Sequence, residues 1–155
     1  KARTVSNKEI LRSVNGEETE KQMTTTASYG YTRTISGASF EQLRERVIDA
    51  LQKEGFGVLT EIDVKATLKK KLDLDFRRYS ILGACNPTLA HQALGGEPLI
   101  GLLLPCNVTI FEEDDKTLNV SMVNPKEMFK VVDNPEVASI AEQVAQKLQR
   151  ALEQV

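Results

Sequence analysis

The C-terminal stretch restricts the fold more than any other part of the chain. Val137, Ile140, Ala141, Val144, Leu148, Leu152 and Val155 recur at three- and four-residue spacing, which is the period of one helix face. Asn134 supplies a cap and Pro135 the first helical position. A helix this one-sided has to bury its apolar side, so it must lie on another layer of structure. A second such helix stands near the start. Ser39 and Gln42 have the spacing of a capping box, and Phe40, Leu43, Val47, Ala50 and Leu51 form its stripe. Gly55 fits the left-handed position that ends it.

Between these helices the pattern is mostly that of strands. Tyr29–Ile35 alternates, with Tyr29, Tyr31, Arg33 and Ile35 on one face. Gly57–Ile62 and Tyr79–Ala84 read as strands. Ile100–Phe111 is apolar and β-prone, with a break at Pro105. Thr117–Val123 then returns as the second arm of a hairpin across Glu112, Glu113, Asp114 and Asp115. Three shorter helical segments are expected. Asp63 caps the first, which carries Val64, Leu68 and Leu72. Asn86-Pro87 opens the second, which carries Leu89, Ala90, Ala93 and Leu94 and closes at Gly95-Gly96. After Asn124-Pro125, residues Met128, Phe129, Val131 and Val132 suggest a short helix or an apolar flap.

The order predicts an α+β fold: a two-layer sandwich with two long helices on one face of a largely antiparallel sheet. Residues 29–155 form one domain in this reading. Residues 1–28 form a flexible or peripheral extension, with Ile10, Leu11 and Val14 on one helical turn and Met23 resembling a translation start. Leu102, Leu103 and Leu104 cannot all point to one face of a strand, which suggests burial by the core on one side and by a partner on the other.

Composition then narrows the function. A chain of 155 residues with 41% hydrophobic residues can bury a core without staples. Its two cysteines cannot build a disulfide scaffold, and free thiols suit a reducing, cytoplasmic setting. The longest apolar run, Leu99 to Cys106, is far short of the roughly 18 residues a membrane helix needs, and no leader-like segment follows the first basic residues. A net charge of −2 argues against binding driven by phosphate neutralisation. Neither a membrane nor a nucleic acid is therefore expected as partner.

The rare residues converge on one region. Cys85, His91 and Cys106 all fall between 85 and 106, and each cysteine is followed by asparagine, Asn86 and Asn107. Cys85 ends a strand and precedes a helix, where the partial positive charge of the helix N-terminus can activate a thiol. The repeated Cys-Asn pair suits two strand ends meeting at one pocket. Cys85, His91 and Cys106 would be the ligands of a soft metal ion such as zinc or copper; copper(I) would accept the two thiolates alone. Asp63, Cys85, Asn86, Cys106 and Asn107 would contact a small ligand. Both cysteines also read as small buried core residues. A second constellation, Glu61, Asp63 and Lys65, would share one strand face and do acid–base work. A third is the basic run of Lys65, Lys69, Lys70, Lys71, Arg77 and Arg78, which suits an anion or a solvated helix face.

Three stretches resemble a bacterial and archaeal family called domain of unknown function 302. They are Gly55 to Leu72, Tyr79 to Pro87 and Glu97 to Val108, and the likeness extends over about residues 29–155. The resemblance implies a fold like that of the TATA-binding protein, in the order β-α-β4-α, and a homodimer. It does not bring DNA binding with it. Three functions compete: a small dimeric binding protein with its pocket around Cys85, His91 and Cys106; a thiol enzyme or redox protein using Cys85 with His91 or Asp63 as base; and a protein–protein interaction module using residues 99–104 and the last helix.

Overall fold

Residues 27–113 and 116–155 are described by a computed structural model. The expected helical turn at Ile10–Val14 and the extension before residue 27 lie outside the described residues. Alternation of apolar and polar side chains builds five strands: β1 Gly30–Ile35, β2 Gly57–Asp63, β3 Tyr79–Cys85, β4 Cys106–Glu112 and β5 Leu118–Val123. They form one sheet in the order β1-β5-β4-β3-β2. Every neighbouring pair is antiparallel.

Two long helices cover one face. They are α1, Phe40–Lys53, and α5, Pro135–Glu153. The Ser39–Gln42 capping box starts α1, and Gly55 follows it at φ +83°. All five residues of the α1 stripe are buried. Eight residues of α5 are buried, so its apolar face is used by the core rather than left for a partner. From the sheet, Leu82, Val108, Ile110, Val120 and Met122 meet these helices, each fully buried. Short helices complete the α+β sandwich: α2 Val64–Leu72, α3 Pro87–Gly96 and α4 Pro125–Met128. A 3-10 helix, Phe129–Val132, follows α4 directly.

Arg33 is the one charged residue among the buried described residues, at 4% exposure on the helix-facing side of β1. Its guanidinium donates to the carbonyl oxygens of Leu152 and Glu153 at 2.9 and 3.0 Å. Those carbonyls lie in the last turn of α5, where Leu152 also accepts from the Val155 N–H at 3.3 Å, so the cation there meets spare lone pairs and the negative end of the helix dipole.

One element departs from its sequence pattern. Residues Pro98–Leu103 form a 3-10 helix, and the strand expected from Ile100 begins only at Cys106. Pro98 sits at the first helical position, and Glu97 caps it by accepting from the Leu99 N–H. Ile100 turns into the core and Leu103 packs partly against it, while Leu102 is 82% exposed. The leucine triplet is therefore not a strand buried on two sides.

Candidate functional site

Cys85 is the last residue of β3, and the chain turns there into α3. Asn86 makes that turn. Its side-chain oxygen accepts from the Leu89 N–H at 3.2 Å, and its amide nitrogen donates to the carbonyl of Glu54 at 3.5 Å. Gly55 lets the two segments approach: a Cβ there would stand 3.1 Å from the Asn86 amide nitrogen. The end of α1 and the start of α3 are thereby tied together.

Cys106 opens β4 and lies opposite Ala84 in the β3–β4 register. The two cysteines are thus one register step apart on adjacent strands. They line one narrow cleft of about 20 Å³, walled by apolar side chains that include Phe56, Leu89, Phe129, Ile140 and Val144. A second cavity of about 150 Å³ lies against the same Leu104–Cys106 segment and Phe129, bordered by Leu102 and Met128. Gly83 makes room for this segment. A Cβ on it would lie 2.7 Å from the Pro105 ring and 2.2 Å from the Thr60 hydroxyl.

The two thiols differ in setting. Cys85 is half-buried and Cys106 is buried. Burial, and then the neighbouring Cys85, pushes the Cys106 thiol up to about 12, so it is a neutral S–H at pH 7.

The other expected site residues are elsewhere. His91 is exposed on α3 and does not line the cleft. Among the described residues no three His, Cys, Asp or Glu side chains come together to hold a metal ion. The three-ligand metal set of Cys85, His91 and Cys106 is corrected on that ground: helix phase turns the imidazole to solvent. Asp63 lies six residues along β2 from Gly57, the residue opposite Cys85. At about 3.3 Å per residue that is the far end of the sheet. Its carboxylate caps α2, accepting from the Ala66 N–H at 2.9 Å. Asn107 is exposed and borders the second cavity and the open sheet face, not the cysteine cleft.

The acid–base trio is not assembled either. Glu61 is held by Arg44, which donates to it at 2.8 Å and keeps its carboxyl below the usual range. Lys65 points to solvent on α2. In the basic run, Lys69 pairs with Asp73 and Asp75, Arg77 with Glu113, and Arg78 with Glu41. These residues form a solvated, ion-paired surface, as the plainer reading of that run held.

Phe56, Phe129, Ile140 and Val144 are cleft residues; the sequence placed Ile140 and Val144 on the buried stripe of the last helix and Phe129 in a short helix or apolar flap, and assigned Phe56 no role. The signal for Ile140 and Val144 was the apolar period itself, which says that a side chain is inside but not what it faces.

A model of the family described as "Domain of unknown function DUF302" matches residues 31–155. The chain belongs to the DUF302 family. A solved structure of an uncharacterised conserved DUF302 protein from Bacillus stearothermophilus is similar to it, with a TM-score of 0.76 and 31% identity. The likeness covers 83% of this chain and 98% of that one. No curated protein matches the chain. The DUF302 fold is therefore established here, and it places Cys85 and Cys106 together at one end of the sheet.

Proposed function

We propose that this chain is a small binding protein that takes a soft, compact ligand in the cleft between Cys85 and Cys106. The observation that supports this is the convergence of two cysteines, 21 positions apart in sequence, on one apolar cleft. A space of about 20 Å³ admits roughly one water-sized sphere, which suits a single ion or a methyl-sized group better than an organic cofactor. Sulfur is the wall atom with the most specific chemistry, and thiolates select soft ions such as copper(I). Binding there would displace the Cys106 proton, so affinity would rise with pH.

Copper(I) is the probe. Titration of the reduced full chain against a competing chelator should show one equivalent bound. Cys85→Ser and Cys106→Ala should each weaken uptake more than about tenfold, a loss of about 1.4 kcal/mol. His91→Ala should leave it unchanged. Equal uptake by all these variants, or none by the wild type, contradicts the reading.

Cys85 alone also supports a thiol-enzyme reading, because it is the more accessible sulfur and sits at the start of α3. Turnover of a substrate that stops in Cys85→Ser but continues in Cys106→Ala would favour that reading.

A further inference from the structure

Cys85 lines the cysteine cleft but not the cavity of about 150 Å³ beside it. Close-packed interiors leave few voids larger than a water molecule, so a hollow of this size calls for an occupant. Four segments converge on it. Leu103 ends the Pro98–Leu103 helix, Asn107 follows Cys106 in β4, Val123 ends β5, and Met128 and Phe129 join α4 to its 3-10 helix. No charged side chain lines it, and Asn107 supplies its one side-chain amide.

That amide has no role in holding the fold. Asn86, Asn119, Asn124 and Asn134 each use the side chain for a cap or a cross-strand bond. Among the described residues Asn107 makes no such bond. It stands opposite Gly83 of β3, which has no side chain to meet it. Asparagine is otherwise depleted in strands. Water is a poor occupant of this cavity. A buried water makes about three hydrogen bonds, and the side chains here offer one amide and one thiol. An apolar group that displaces loosely held water gains affinity, and apolar cavities of about this size take benzene. The Met128 thioether and the Phe129 ring favour an aromatic guest.

We propose that this cavity binds a small neutral aromatic molecule of about the size of phenol. The ring lies among Leu103, Val123, Met128 and Phe129, and the one polar group meets the Asn107 amide. An ionised guest is rejected, because nothing in the wall repays the loss of its hydration. The site does not depend on copper(I) uptake by the neighbouring cleft.

Phenol, benzene and benzoate are the probes, titrated into the metal-free full chain at pH 7 and followed by amide chemical shifts. Phenol should bind saturably and about fivefold more tightly than benzene, the worth of one neutral hydrogen bond. Benzoate, the same ring with a charge, should not bind. Asn107→Leu should bind benzene and lose the preference for phenol. Met128→Trp, at a position 37% exposed, should fill the cavity and bind neither, with unchanged circular dichroism. Cys85→Ser should bind phenol as the wild type does, so that this site and the copper(I) reading fail separately. The proposal is overturned by no saturable binding of phenol, by benzoate binding as tightly as phenol, by a folded Met128→Trp chain that binds like the wild type, or by an Asn107→Leu chain that still prefers phenol.

Discussion

Cys106 is the residue whose surroundings alter its chemistry most. Its thiol is raised from 9.0 to about 12, and the largest cause is burial. The unfolded chain therefore loses this proton first as pH rises, and the folded state holds more protons between the two values. Its contribution to stability is complete below about pH 9 and falls as pH climbs toward 12. Denaturation measured from neutral to alkaline pH should show a decline that is shallower in Cys106→Ala. Buried Tyr31 is shifted in the same direction, so the informative quantity is the difference between the two chains. Identical slopes would mean that Cys106 keeps no excess proton in the fold. That Cys85 and Cys106 stand at neighbouring strand ends was legible in the sequence, because each falls before asparagine near the limit of a β-prone run. The position of His91 was not. It depends on helix phase against a wall of Phe129, Ile140 and Val144, whose contacts no local pattern records.

At the scale of elements, local signals and structure agree where caps and periodicity agree. The capping box of α1, the Asn-Pro starts of α3 and α5, and the alternation of β1 all have the expected partners. Pro98–Leu103 departs because an apolar run without polar alternation fits a buried strand and a 3-10 helix equally well. The deciding marks were Glu97-Pro98, a cap and a first position. Arg33 was read correctly as facing the same side as Tyr31 and Ile35, but its partner is 119 residues away and invisible to any local window. Replacing it with methionine keeps much of the volume and removes both hydrogen bonds to the end of α5. The expected loss is roughly 1–3 kcal/mol in a denaturant titration, the cost of losing two charge-assisted hydrogen bonds at the end of α5, although Leu152 keeps the Val155 N–H. An Arg33→Met chain as stable as the wild type would show that water serves these carbonyls equally well.

Across the whole molecule, two hollows share one end of the sheet. The cysteine cleft lies where β3 finishes and β4 starts, and the second cavity backs on the same Leu104–Cys106 segment. The fold class was readable because two amphipathic helices flanking strands admit few layer arrangements. Asp63 was misplaced because strand direction separates it from Cys85 by the length of β2. Among the described residues, no helix is long and apolar enough to cross a membrane.

That both cysteines serve one cleft is tested most directly by selective alkylation. The reduced full chain, treated with iodoacetamide at neutral pH and read by mass spectrometry, should be modified at Cys85 while the buried, protonated Cys106 stays intact. The chain modified at Cys85 alone should then fail to take up copper(I). Equal modification of the two thiols in the folded chain, or unchanged copper(I) uptake after Cys85 is blocked, would contradict a shared site.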